Sequence, residues 1–189
     1  MQLFFYPKKY FSLKGENIKS NAILMRNLLM TLIGMFFITT IAAQLGPGDE
    51  DYHIFSLYAF ISIILVPFYF IFNFIISLLY LLVLKYFHPA IKIGKFYVMI
   101  LTYNTFIFLF NSISVNVIFL YEEFFVYVLI FVLSIVTNAW AGHILYWGLS
   151  GFAGFSKKVS LNFCITLFCL NIVLLAGGLF VNVQKFNTL

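Results

Sequence analysis

The side chains that could do chemistry inside the apolar segments of this sequence are mostly amides. Asn104 and Asn111 are seven residues apart, so they share one face of a helix. Ser134 and Asn138 share a face in the same way, and His143 follows them. Neutral amides donate and accept hydrogen bonds but carry no charge and relay no proton. We therefore predict polar contacts inside the protein for these amides and for His143.

Two interpretations of the amides are open. In the first, small and amide side chains let helices approach and hydrogen-bond, at about 0.6 kcal/mol per bond in a membrane. In the second, Asn104, Asn111 and Asn138 surround a weakly polar cavity for a neutral or lipid-like ligand. The second interpretation predicts a continuous wet cavity, whereas the first predicts dry helix contacts.

Patterns typical of catalysis and metal binding do not occur in the sequence. His143 has no second ligand at helical spacing, and a single histidine is no metal site. Cys164 and Cys169 are five residues apart, which places them about 140° from each other around a helix. No serine lies in a G-x-S-x-G motif, and no nucleotide-binding loop is found. We predict a protein that is not an enzyme and holds no metal or cofactor.

Two pairs of adjacent lysines are candidates for contact with lipid headgroups. They are Lys8 with Lys9, and Lys157 with Lys158. Three glycines at every third position precede the second pair, and glycine-rich backbone beside lysines can surround a phosphate. A flexible turn is the plainer interpretation of the glycines. For the four lysines we predict contact with anionic lipid on a membrane surface.

The composition indicates that these side chains belong to a membrane protein. Of the 189 residues, 63% are hydrophobic and only 9% are charged, whereas soluble domains carry roughly 25% charged residues. So few charges could not cover a soluble domain of this size. The net charge of +5 does not indicate nucleic acid, because the basic residues are spread over short segments between apolar runs.

Five apolar runs are long enough to cross a bilayer, which needs about 20 residues per helix. The first run ends at the breaker cluster Gly46-Pro47-Gly48, and Pro67 is a candidate bend point in the second. The predicted spans are residues 27–45, 54–84, 96–120, 124–147 and 161–183. We predict an all-α polytopic membrane protein, a bundle of five transmembrane helices with a short amphipathic N-terminal segment.

The charges between the spans alternate in sign along the chain. Basic residues precede the first span and occupy the second and fourth connections, and acidic residues occupy the first and third. Lysine and arginine stay on the cytoplasmic side of a membrane. We therefore predict a cytoplasmic segment at residues 1–26, a transmembrane domain at 27–183 and a non-cytoplasmic tail at 184–189. Within residues 1–26, aromatic residues beside lysines favour a helix in the headgroup layer.

The opening FFYPKKYF at residues 4–11 resembles the start of bacterial Yip-domain (Ypt-interacting protein) proteins, which commonly carry an aromatic residue, proline, a basic residue and phenylalanine before the first span. WAGHILYWGL at 140–149 and FSKK at 155–158 are similar to that family's fourth-span end and cytoplasmic loop. The five-span count agrees, and the likeness covers nearly the whole chain. It departs at Tyr103-Asn104-Thr105-Phe106, where relatives often carry a proline soon after the tyrosine.

The resemblance implies a short bacterial inner-membrane type. Eukaryotic Yip proteins bind Rab GTPases and have a long N-terminal region, which is short here, so Rab binding is not carried over. We predict a non-enzymatic structural or accessory component of the bacterial cytoplasmic membrane. Its predicted partners are membrane lipids, anionic ones among them, and another membrane protein or a second copy of the chain, with no nucleic acid. The alternative is a transport or channel component with a neutral polar cavity between spans three to five.

Overall fold

A computed structural model of the chain describes residues 2–14, 20–45, 54–87, 92–121 and 123–187. Every regular element in these ranges is an α-helix, and five of the helices are long and apolar enough to cross a membrane. The helices are α1 (Gln2–Phe5), α2 (Pro7–Lys14), α3 (Ser20–Leu45), α4 (Ile54–Phe87), α5 (Ile93–Leu120), α6 (Phe124–Gly151) and α7 (Lys157–Asn187). The predicted all-α bundle of five spanning helices is confirmed, and the chain is a multi-pass integral membrane protein.

The spanning helices extend beyond the apolar runs that predict them. α3 begins at Ser20, inside the segment that the sequence separates from the first span, and α6 continues past Trp147 to Gly151. A helix satisfies its own backbone hydrogen bonds, so it need not end where the hydrocarbon ends. The Gly46-Pro47-Gly48 cluster, the acids at 49–51 and Glu122 lie outside the described residues.

The longest helix, α4, runs through Pro67 without interruption. Its 34 residues correspond to about 51 Å of helix, more than the roughly 30 Å of bilayer hydrocarbon. Pro67 and its neighbours Ile64, Phe68 and Ile71 are exposed. This face of α4 therefore meets lipid, which solvates large apolar side chains as well as a protein core does.

The central helix of the bundle is α5. It packs against α3, α4 and α6, and its Tyr103 contacts Asn171 of α7. Half of its most apolar window is buried, compared with a third or less in each other spanning helix. Because α5 touches all four neighbours, its polar residues decide where hydrogen bonds cross the bundle.

Buried apolar side chains fill one end of the bundle more densely than the other. Those of α5 lie between Phe96 and Tyr103, and those of α6 between Ala141 and Leu149. They join Ile23, Leu84 and Leu167 of the other three helices in one cluster. We call this end the core half. The open half comprises residues 107–120 of α5, 124–138 of α6 and 171–177 of α7.

The N-terminal helices α1 and α2 pack along α6 in the core half. Leu3 and Phe11 are fully buried there, and Nε1 of Trp140 donates a hydrogen bond to the carbonyl of Phe4 at 2.9 Å. A Cβ added at Gly151 would lie 2.9 Å from Cβ of Phe11, so this glycine permits the close approach. The pattern of aromatic residues and lysines does not predict this docking onto a neighbouring helix.

Candidate functional site

The amides of the third span lie in two different environments. Asn104 donates a hydrogen bond to Oδ1 of Asn73 in α4 at 2.6 Å, and Asn73 is 2% exposed. Asn73 in turn donates to the carbonyl of Tyr69 at 2.9 Å. Asn104 therefore takes part in a dry contact between α4 and α5. Asn111, seven residues later, is exposed and lines a pocket between α5, α6 and α7.

The pocket lies in the open half between α5, α6 and α7, and has a volume of about 400 Å³. Three amides line it, from Asn111, Asn138 and Asn171, one from each helix. Isoleucine, leucine, phenylalanine and Tyr127 form the rest of the wall. Convergent polar groups in an otherwise apolar concavity of this size are typical of small-molecule binding sites.

Asn138 is the best-buried amide of this pocket, at 3% exposure. Its Nδ2 donates to the carbonyl of Ser134 at 2.9 Å, which fixes the orientation of the amide. Its Oδ1 is buried and has no hydrogen-bond partner. A buried acceptor without a partner costs about 1–3 kcal/mol, so this oxygen destabilises the contact that buries it.

Asn171 joins the site although its spacing in the sequence does not set it apart from other span asparagines. Its Nδ2 donates to the hydroxyl of Tyr103 at 2.5 Å, which joins α7 to α5. Its only sequence signal is its polarity in the middle of an apolar run. That signal does not predict that α5, α6 and α7 come together around one pocket.

The pocket ends where the core half begins. Tyr103, Ala141 and Leu145 are buried in the apolar cluster between the same helices, one to two turns from Asn138. Asn104, the amide nearest that end on α5, contacts α4 instead. Of the three amides that the transport alternative names, Asn111 and Asn138 therefore line one pocket, and Asn104 does not.

His143 lies on the exposed surface of α6, away from the pocket. Its ring centroid is 5.5 Å from that of Trp140 and 6.4 Å from that of Trp147. Among the described residues no group of three or more histidines, cysteines and acids could hold a metal ion. The neighbours of His143 are therefore two tryptophans, a residue type that is enriched at the boundary of a membrane.

A second candidate site is the basic rim, which we define as Lys8, Lys9, Arg26, Lys95, Lys157 and Lys158 at the outer end of the core half. Three of these cations lie over aromatic rings. Lys8 Nζ is 5.6 Å from the ring centre of Trp147, Lys95 Nζ is 4.7 Å from that of Phe152, and the Arg26 guanidinium carbon is 5.6 Å from that of Tyr10. Such contacts hold a cation in place and leave its outer side for an anion.

The predicted lysine pairs are thus brought to one end of the bundle. Lys8, Lys9, Lys157 and Lys158 are all exposed, and Phe11 of α2 packs on Phe152 just before the turn into α7. The preceding glycines do not form a phosphate-binding loop. Gly148 and Gly151 belong to α6, and Gly154 alone has a positive φ, of 82°.

Known proteins supply no assignment for either site. Comparisons of the chain with protein-family models, with curated proteins and with solved structures gave no match. The candidate sites therefore rest on the geometry of this chain: one pocket lined by three amides, and one rim of cations in which the paired lysines are exposed and Arg26 and Lys95 are half-buried.

Proposed function

We propose that this integral membrane protein is a non-enzymatic accessory component of the bacterial cytoplasmic membrane that associates with anionic lipid, and with other membrane proteins in that lipid. The observation that supports the lipid association best is the basic rim. Six cations lie at one end of the bundle, and three of them are held over aromatic rings.

The rim has the charge distribution that a phosphate surface attracts. Among the described residues the one acid is Glu123, at the opposite end of the bundle, and the other five acids, Glu16 among them, lie outside the described ranges. Each lysine or arginine near an anionic membrane surface contributes about 1 kcal/mol of attraction. Several such residues on one rim favour anionic over zwitterionic lipid.

Lys157 and Lys158 form the part of the rim best suited to a single headgroup. They occupy the first turn of α7, where the free backbone N–H groups and the helix dipole also favour an anion. Both side chains are exposed. A lipid phosphate at this position would meet two ammonium groups and the positive end of a helix.

The orientation in the membrane is part of the proposal. The rim is cytoplasmic under the positive-inside rule, which places the C-terminus on the far side after five spans. A reporter that is active only in the cytoplasm, fused after residue 189, is expected to be silent. A reporter placed before residue 1 is expected to be active. An active C-terminal fusion would contradict this orientation.

The placement outside the enzyme classes rests on the absence of catalytic motifs from the sequence. The likeness to short bacterial Yip-domain proteins does not settle the molecular activity, and both stay predictions. The accessory role is supported by the connections between the spanning helices, which are too short to hold a soluble domain.

The lipid association is tested by native mass spectrometry of the purified protein titrated with phosphatidylglycerol. The double variant Lys157→Ala with Lys158→Ala is expected to lower phosphatidylglycerol affinity about thirtyfold, in line with two lost cations at about 1 kcal/mol each. Lys157→Arg with Lys158→Arg is the matched control and is expected to retain binding. Phosphatidylcholine binding should not change in any variant. Equal phosphatidylglycerol affinity in the alanine variant and the wild type would refute the proposal.

A further inference from the structure

We propose that anionic phospholipid is the counter-ion that holds α1 and α2 on the bundle, so that the two helices dock in anionic membranes and loosen in zwitterionic ones. We call α1 (Gln2–Phe5) and α2 (Pro7–Lys14) together the strap. The inference rests on the lipid association proposed for the basic rim and adds a conformational consequence to it. It follows from the way the strap is held and from the charges that meet where it docks.

The strap lies along the last three turns of α6. Its Phe4 is bonded to Trp140, and its Phe11 lies against Gly151, which is about 16 Å farther along the helix. Phe4 also stacks on Phe106 of α5, with 5.9 Å between the ring centres. The strap therefore reaches from the end of α6 well into the part of the bundle that crosses the bilayer.

Packing holds the strap only weakly in a membrane. Leu3 and Phe11 are fully buried against the bundle, but lipid solvates such side chains as well as a protein core does. Nε1 of Trp140 donates to the carbonyl of Phe4, and hydrogen bonds between helices in a membrane contribute about 0.6 kcal/mol on average. With contributions this small, the charges at the outer end of the strap decide whether it stays docked.

Cations lie on both sides of the contact between strap and bundle. Lys8 belongs to the strap and is exposed. On the side of the bundle, the Arg26 guanidinium carbon lies 5.6 Å from the ring centre of Tyr10 in the strap. Lys95 Nζ lies 4.7 Å from the ring centre of Phe152, a ring that the strap also contacts. Docking therefore brings like charges together.

The described part of the chain offers these cations aromatic rings and no acid. Its one acid, Glu123, precedes α6 at the opposite end of the bundle. A cation over a ring gains about 0.5–1 kcal/mol at an exposed site, but the ring leaves the repulsion between neighbouring cations in place. Like charges brought together at a contact oppose it, and the low dielectric beside a membrane strengthens that effect.

Anionic headgroups relieve this repulsion. The docked state gathers the cations of the strap and of the bundle on one rim, so it attracts anionic lipid more strongly than the two parts do when they are separate. A ligand shifts a conformational equilibrium toward the state that it binds better. Phosphatidylglycerol is therefore expected to favour the docked strap.

Amide hydrogen exchange in nanodiscs tests the coupling. The full chain is placed in phosphatidylcholine alone or in equal parts phosphatidylcholine and phosphatidylglycerol, and exchange of residues 2–11 is followed by mass spectrometry. We expect about fivefold faster exchange in phosphatidylcholine alone, which corresponds to about 1 kcal/mol of coupling. Both tryptophans of the chain contact the strap, Trp140 at Phe4 and Trp147 at Lys8, so their fluorescence is a second readout.

Variants connect the lipid effect to the cations at the contact. Lys8→Gln and Lys95→Gln each remove one side of the repulsion and are expected to reduce the fivefold difference to under about twofold. Lys92→Gln is the matched control, because it removes an exposed lysine just before α5, and it is expected to keep the difference. Trp140→Phe removes the bond to Phe4 and is expected to speed exchange in both membranes without changing their ratio.

Native mass spectrometry of phosphatidylglycerol binding separates this proposal from the function on which it rests. Selective binding together with equal exchange in the two membranes would refute the coupling and leave the lipid association intact. Without selective binding, both proposals fail. Faster exchange in the presence of phosphatidylglycerol would mean that anionic lipid pulls the strap off the bundle, the reverse of what we propose. A lipid effect that survives both Lys8→Gln and Lys95→Gln would exclude repulsion at the contact as its cause.

Discussion

The core half and the open half of the bundle are built from the same helices but packed differently. In the core half, fully buried side chains such as Phe96, Met99 and Leu149 form one apolar cluster, onto which α1 and α2 are docked. In the open half, the space between α5, α6 and α7 is a pocket of about 400 Å³. The difference shows that tight packing is concentrated in the core half, next to the basic rim, and that the open half is less tightly packed.

Asparagine side chains in the bundle differ in how completely they are bonded. Asn104 donates to Asn73 at 2.6 Å, and Asn171 of α7 donates to Tyr103 of α5, so both amides join helices. Asn27 of α3 and Asn138 of α6 each donate through Nδ2 but keep a buried Oδ1 without a partner. A bonded amide joins helices, whereas a buried oxygen without a partner lowers stability.

The largest expected effect is a truncation in the core half. Leu149 is fully buried, so Leu149→Ala is expected to lower the free energy of unfolding by about 2 kcal/mol. This is the low end of the usual range, because lipid rather than water surrounds the unfolded side chain. The matched control is Ile118→Ala in the pocket wall, expected to cost under about 1 kcal/mol. SDS-induced unfolding in mixed micelles measures both. Equal losses would remove the distinction between the halves.

The next effect is the loss of a paired amide. Asn73→Leu removes the acceptor of Asn104 and leaves that amide in an apolar contact, at an expected cost of about 1.5 kcal/mol. The double variant Asn73→Leu with Asn104→Leu is expected to recover most of this loss, because no polar group is then left unpaired. The same unfolding titration measures the series. If the two single losses simply add in the double variant, the bond has no energetic coupling.

A smaller, local effect is expected where α2 meets α6. Gly151→Val places carbon atoms against Cβ of Phe11 and should loosen α2 by about 1 kcal/mol. Amide hydrogen exchange of residues 7–14 is then expected to rise about fivefold. Gly142→Val is the control on the same helix, since a Cβ there meets nothing within 4 Å. Unchanged exchange in Gly151→Val would mean that the docking does not depend on this close approach.

The smallest expected effect is at Asn138. In detergent, Asn138→Leu should change the free energy of unfolding by less than about 0.5 kcal/mol, because removing the unpartnered Oδ1 relieves a cost that offsets the lost bond from Nδ2 to the carbonyl of Ser134. The contrast with Asn73→Leu makes the comparison of paired and unpaired amides quantitative. A loss as large as that of Asn73→Leu would indicate that Asn138 is a structural amide and not a free acceptor.

Much of the architecture could be predicted because it follows from hydrophobicity. The five spans and the all-helical fold are consequences of apolar runs in a medium where backbone groups must bond within each segment. Helix ends were less predictable, as at Ser20 of α3 and Gly151 of α6, because a helix can project beyond the hydrocarbon. The docking of Phe4 and Phe11 onto α6 was missed because it depends on a distant glycine.

The candidate site was predictable only in part. Asn104, Asn111 and Asn138 stand out in the sequence as polar groups inside spans. Helical spacing predicts the face of the helix on which each lies, but not which helix packs against that face. Asn104 and Asn111 share a face by spacing, yet the first contacts α4 and the second lines the pocket. Asn171 carries no signal of its own, and its place beside Asn138 follows from the packing of α7.

The sequence by itself determined that this protein is a helical bundle in a membrane, because the transfer of apolar runs into lipid depends on composition and length alone. It also determined the side of the membrane on which each charge is expected, since the positive-inside rule depends only on the basic residues that flank each span. Only the tertiary structure decided which amides are bonded across helices and which keep a buried oxygen without a partner. Hydrogen bonds between helices depend on positions that differ by a few ångströms, and those positions are set by packing across residues far apart in the chain.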